Sequence, residues 1–245
     1  IVWADQNTRF AGHLSVRGGP EGGDGGFAEV SGKEQLAFSG TADLTAPAGR
    51  AGSLLLDPLD IVVAATGGVL ESALDEFADF ASNIVTISPA AMAAVGGTVV
   101  LQAARDIYFN DAVTLSTPGA GLTVMAGGAS ATGGQIYLDH GIVTTGGVVT
   151  MRGTTLTGAG TISTNGGAVD LQFTSSLNYN ALVSSGGGAV TVSTPNSSIN
   201  SLQVQAGAGA ISVSGRNGVL NSTIGGTGAV AVTSSNGGLN NNGVT

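Results

Sequence analysis

The sequence predicts an all-β chain wound as a parallel β-helix, a solenoid of about 20-residue coils, with a short helical excursion near residues 69–95. Three observations predict it. Glycine accounts for 42 of 245 residues, against a usual share of roughly 7%. Charged residues are 9% while hydrophobic residues reach 42%, so the chain has apolar surface to bury and does not read as a disordered polyelectrolyte. The C-terminal third repeats itself: GGAVDLQFTSSLN, GGAVTVSTPNSSIN, GAISVSGRNGVLN and GAVAVTSSNGGLN follow one another.

Within these repeats Val169, Val190, Ile211 and Val230 recur at a near-constant step of about 20 residues. Val149 continues the series one step upstream, and Val99 opens it. A second apolar phase runs through Leu177, Ile199, Leu220 and Leu239, each followed by an asparagine: Asn178, Asn200, Asn221 and Asn240. A third runs through Ile162, Leu182, Val204 and Ile224, and a polar one through Ser175, Asn196, Asn217 and Asn236. Each unit thus makes three short apolar touches between Gly, Asn and Ser turns. Helical repeats need apolar periodicity of 3.6 sustained over ten or more residues, and the A-V-x-V alternation here has period 2. Stacking equivalent phases coil on coil, about 4.8 Å apart, puts Val on Val and Leu on Leu. It also predicts an axial ladder of the four asparagine amides. Roughly ten coils would make a rod on the order of 45–50 Å long.

Upstream the pattern is looser. FAEV, LAFSG, ADLTA, SLLLDP and DIVV are strand candidates separated by Gly, Ala-Pro and Asp-Pro turns. In VLESALDEFADFAS, Leu70, Leu74 and Phe77 fall at helical spacing between acids. SPAAMAAVGG predicts a second short helix, with Ser88 as N-cap, Pro89 in the first turn and Gly96 at the stop. The layout is one solenoid over 1–245, with irregular coils at 1–68, a helical insertion at 69–95 and regular coils at 96–245. The chain opens and ends in mid-pattern, with IVWADQNTRF and GGLNNNGVT, and is expected to be a segment of a longer protein.

Charge narrows the function. The net charge is −9, with one lysine (Lys33) and six scattered arginines, whereas nucleic acid is held by clustered Lys and Arg. Cysteine is absent, which excludes disulfides and thiolate metal sites. Fourteen of the 16 acids lie within residues 1–111, and beyond residue 152 only Asp170 and Arg216 are charged. The C-terminal coils should therefore present a neutral wall of Ser, Thr and Asn, suited to sugar hydroxyls, to another wall or to a plain stalk.

Several stretches, VWAD, TRFAG, RGG, GGDGGFAEVSG and GRAGSLLLDP within residues 1–63 and VTISPAAMAAVGGTVVLQAARDIYFNDAVTL after them, resemble the β-helical body of bacterial exoproteins of the filamentous haemagglutinin type. The resemblance covers the first half in specific motifs and the rest in repeat style. It implies a right-handed parallel β-helix. It also implies secretion of the parent chain by the two-partner route through an outer-membrane pore, residence at the surface of a Gram-negative bacterium, and a role in adhesion or biofilm formation. Some relatives carry a toxin on such a stalk. The family's secretion domain bears NPNL and NPNG-type motifs, and neither occurs here.

Candidate sites are few. RGGPEGGDGGFAEVSG lacks the Lys-Ser/Thr pair of a phosphate loop, and its glycines precede a strand, not a helix. It reads either as a calcium site on Asp24, with Glu21 nearby, or as glycine corners between coils. His13 and His140, the two histidines, lie more than half the chain apart, without metal-ligand spacing. Trp3, Tyr108, Tyr137 and Tyr179 are the aromatic candidates for sugar contact. Tyr137, between Ile136 and Leu138, should face solvent, and only one of Tyr108 and Phe109 can, so Tyr108 and Tyr137 form a candidate binding strip. A polysaccharide-active β-helix would need paired carboxylates on one face, for which Arg105, Asp106 and Asp111 are the candidates.

The expectation is a structural and adhesive segment without catalytic residues, cofactor or metal apart from the calcium alternative. Its expected partners are copies of itself, end to end or side by side in fibres, and a host or matrix glycan or protein. The alternatives are a β-helical polysaccharide-active enzyme and the stalk of a contact-dependent toxin.

Overall fold

The computed structural model describes residues 1–32, 35–38, 40–65 and 84–244. These form a parallel β-solenoid. One sheet of ten strands runs its whole length: Val2–Ala4, Phe27–Gly32, Ser53–Asp57, Thr98–Ala103, Leu122–Ala126, Val149–Gly153, Val169–Phe173, Val190–Thr194, Ile211–Gly215 and Val230–Ser234. A second sheet stacks Thr155–Thr157, Gln135–Leu138, Ile107–Phe109, Asp60–Val63 and Ile84–Ile87. A third stacks Val113–Leu115, Ile142–Thr144, Ile162–Ser163, Leu177–Ser184, Ile199–Gln205, Gly218–Gly225 and Gly238–Val244. Asn7–Phe10 pairs with Gln35–Phe38, and His13–Ser15 with Thr41–Asp43, in two smaller ladders.

Pairing in the long sheet is parallel and follows the valine phase residue by residue. Val99 pairs with Leu122, Leu122 with Val149, Val149 with Val169, Val169 with Val190, Val190 with Ile211 and Ile211 with Val230. Alternation then fixes the faces. Val190 and Val192 are fully buried while Thr191 is exposed. All three large sheets contribute to one contiguous apolar core.

The third sheet departs from the expected phases by one residue. Ile199 pairs with Val219, not Leu220, and Val219 pairs with Leu239. Val183, not Leu182, is the buried partner of Ile162, and Leu182 is 41% exposed. The cause is a set of bulges in strands that bend around a corner, at Leu177/Asn178, Tyr179/Leu182 and Leu220/Ser222.

The predicted short helix is Pro89–Ala93, capped by the Ser88 hydroxyl, which accepts from the Ala91 N–H at 3.1 Å. Just before it, within the stretch expected to be helical, Ile84–Ile87 is a strand paired in parallel with Asp60–Val63. That short run of β-branched residues extends the second sheet instead of leaving it. The helical pattern expected at 69–82 lies outside the described residues.

The regular corners follow a rule of their own. Thr144, Thr164 and Ser185 are fully buried polar residues that recur once per coil, each shortly before a glycine. The Thr144 hydroxyl donates to Gly147 O at 2.7 Å and lies 3.3 Å from Thr164 O in the next coil. Thr164 repeats the arrangement with Gly167 O and Ser185 O, and Ser185 with Gly188 O and Ala206 O. The glycine closing each corner presses on the coil before it. A Cβ on Gly167 would lie 2.1 Å from Gly147 O, and one on Gly188 would lie 2.1 Å from Gly167 O.

Candidate functional site

The second sheet carries the candidate strip. Ile107 and Phe109 are buried, and Ile136 and Leu138 are buried, so Tyr108 and Tyr137 between them point outward and are half-buried. Their backbones are register partners, which sets one ring directly above the other. The rings stack with centroids 4.6 Å apart and planes 3° apart. Val62 precedes Tyr108 in the same row and Thr157 follows Tyr137. The strip expected from the sequence is therefore one continuous row, but each ring covers a face of the other. What it presents outward is ring edge and hydroxyl, not two open platforms.

A polar margin runs beside the rings. The Tyr108 hydroxyl donates to Asp106 Oδ2 at 3.4 Å, and the Tyr137 hydroxyl donates to Gln135 Oε1 at 3.3 Å. Burial, followed by the nearby Asp106 carboxylate, holds the Tyr108 phenol above its usual range.

The carboxylates that an enzyme would use have structural partners. Asp106 Oδ1 accepts the Gln135 N–H of the next coil at 2.7 Å. Asp111 Oδ2 accepts the Ala65 N–H at 2.6 Å. Arg105 pairs with Asp60, whose carboxylate also accepts the Asp106 N–H at 3.1 Å. Asp60 is only 4% exposed, and the guanidinium and the N–H together compensate its buried charge. Sequence reasoning missed Asp60 because its partner is distant in the chain and becomes a neighbour only once the coils are stacked.

At the glycine-rich corner, Asp24 is exposed and its Oδ1 accepts the Arg50 N–H of the next coil at 2.8 Å. Gly23 has φ +99°, and a Cβ on Gly25 would stand 2.2 Å from Leu44 O, so here the glycines serve the turn and the close approach of coils. FAEV is the next rung, with Ala28 and Val30 buried. Among the described residues no group of three or more His, Asp or Glu side chains is gathered in a way that could hold a metal ion.

Two expectations are corrected. The four asparagines do not form a ladder: Asn178 pairs with Ser201, Asn240 pairs with Leu220, and Asn200 and Asn221 sit at the bulges. Asn221 has a left-handed backbone, φ +49°. The bulges break the one-per-coil register that amide stacking requires. Tyr179 is not a surface platform; it is fully buried, and its hydroxyl donates to Gly160 O. Burial pushes its phenol well above the ordinary value. Trp3, 55% exposed, is on the outer face of the long sheet. His13 Nδ1 meets the Thr41 hydroxyl at 2.8 Å, and His140 is exposed.

No family model, curated protein or solved structure matches the chain.

Proposed function

We propose that the chain is a structural and adhesive segment of a secreted bacterial surface exoprotein, a rigid rod that holds a binding surface away from the cell or builds a fibre. The single observation that carries this reading is the unbroken ten-stranded parallel sheet. Ten strands make nine steps of about 4.8 Å, a rod face about 43 Å long. Every step is bonded along the axis, so the rod resists bending and pulling through many hydrogen bonds acting together. The sequence motifs that resemble the filamentous haemagglutinin type support the same role, with two-partner secretion of the parent chain and residence at the cell surface. A toxin stalk would use the same mechanics. The polysaccharide-active alternative finds less support, because Arg105, Asp106 and Asp111 each bind another part of the solenoid.

The test is display of the segment on otherwise non-adherent cells, counting cells retained on glycan-coated and bare surfaces under flow. Retention well above that of an empty display scaffold is expected. Retention equal to the scaffold on every surface would defeat the adhesive reading. Electron microscopy of the purified chain at high concentration tests the fibre role, for which single short rods alone would be the contrary result.

A further inference from the structure

At the C-terminal end of the long sheet, one corner recurs on three successive coils. Ser193, Ser214 and Thr233 are register partners on its outer face. Thr194, Gly215 and Ser234 follow them, and then Pro195, Arg216 and Ser235. Between these coils lies an open groove of about 380 Å³, bordered by Ser193, Ser214, Thr233, Ser234, Ser235 and Arg216, with Pro195 in its wall; Thr194 beside it is fully buried and its hydroxyl donates to Ser197 O at 3.1 Å. Gly215 faces inward there, where a Cβ would stand 2.3 Å from Gly218 O, so the chain turns tightly behind the groove.

Arg216 is the only charged residue after Asp170. The ion pairs among the described residues belong to Arg17, Arg105 and Arg152, so Arg216 has no carboxylate partner there. Its backbone is held on both sides: its N–H donates to Thr194 O at 3.2 Å, and its carbonyl accepts the Asn236 N–H at 2.8 Å. With the Asn236 amide oxygen turned toward it, Arg216 Nε donates to that oxygen at 3.3 Å, which orients the guanidinium. The Ser234 and Ser235 hydroxyls donate to Arg216 O only through long contacts of 3.4 Å; Ser234 Oγ also accepts the Gly237 N–H at 3.0 Å, so Ser235 is the one that turns to a ligand at little cost.

We propose that this groove is a binding site for a sugar bearing a single carboxylate, a uronic-acid-type residue of a glycan. The guanidinium fork takes the carboxylate in a charge-assisted, bidentate contact. The outward row of Ser193, Ser214 and Thr233 hydroxyls, each able to donate and to accept, meets the sugar hydroxyls. A single cation on an otherwise neutral wall favours a singly charged, hydroxyl-rich ligand over a polyanion, which is held by clustered cations. This deepens the adhesive reading by naming a ligand class, and it rests on that reading. Its test is made in solution, so its outcome is separable from that of cell retention.

Calorimetric titration of the purified chain with a glucuronate-terminated oligosaccharide, its neutral methyl ester and a heparin-type polysulfate decides it. The acid should bind saturably, and the methyl ester about tenfold or more weaker. Arg216→Gln should lose about as much, while Arg50→Gln, at an exposed arginine of another corner, should bind as the parent does. Absence of saturable binding, equal binding of acid and ester, undiminished binding by Arg216→Gln, or tighter binding of the polysulfate would each overturn the proposal. The acid–ester comparison uses the unaltered protein, so it holds even if a variant misfolds.

Discussion

The ring of Tyr108 lies flat on that of Tyr137, one coil further along, with centroids 4.6 Å apart and planes only 3° apart. The spacing is close to the distance between parallel strands, about 4.8 Å, so the backbone register itself brings the rings to contact distance. Such a pair should couple energetically by about 0.5–1.5 kcal/mol beyond area burial. A double-mutant cycle with Tyr108→Leu and Tyr137→Leu, read by urea unfolding, should show the double variant losing less than the sum of the singles. Strict additivity would mean that the stack contributes nothing of its own.

Adjacent glycines in one corner should respond differently to alanine. Gly187 has φ +134° with open space where a Cβ would go, so Gly187→Ala carries only backbone strain, roughly 1–2 kcal/mol. Gly188→Ala drives a Cβ to 2.1 Å from Gly167 O and must push two coils apart. Its cost should be the larger, about 3 kcal/mol or more. Thermal melts of the two variants side by side test the order, and a milder effect at Gly188 would contradict the close coil contact.

The buried hydroxyl column makes a third prediction. Thr164→Val keeps the shape but leaves the carbonyls of Gly167 and Ser185 without that donor, and should cost about 1–3 kcal/mol. Thr164→Ser should cost less than about 1 kcal/mol, since Ser185 does the same task one coil on. If valine proves as stable as serine, the column is packing alone.

The repeat was legible in the sequence wherever a coil obeys period 2 on a flat sheet. Val149, Val169, Val190, Ile211 and Val230 stack as their spacing predicts because nothing interrupts the alternation. The neighbouring phases slipped by one position, at Leu182 and Leu220, because bulges insert an unpaired residue at a corner and nothing in the local composition marks where. The same slip dissolved the asparagine ladder. The outward setting of Tyr108 and Tyr137 followed from alternation, but their mutual stacking needed the register between two successive coils of unequal length. The hydroxyl column had a visible signature, TTGG, TNGG and SGGG recurring once per coil, in a glycine pattern that reads as turn alone.

The last prediction concerns pH. Asp57 is half-buried on the outer face of the long sheet, where its Oδ2 accepts from Gln102 Nε2 at 2.8 Å. Burial raises its pKa above 3.8; the Gln102 hydrogen bond opposes this and the Glu29 carboxylate adds to it. A raised folded-state value means the native protein prefers the protonated acid. Its contribution to stability is present below about pH 3.8 and is lost as pH rises through the folded value. Asp43 behaves oppositely: the Thr45 hydroxyl, then the Thr45 N–H, hold its pKa down, so its contribution is present above 3.8 and fades as pH falls through the folded value. Asp57→Asn should therefore melt higher than the parent at about pH 7, with the gap closing at about pH 4 and below. Asp43→Asn should melt lower at about pH 7, with its deficit shrinking on acidification. An Asp57→Asn gap that does not change with pH would show that the substitution acts through packing and not through the carboxylate.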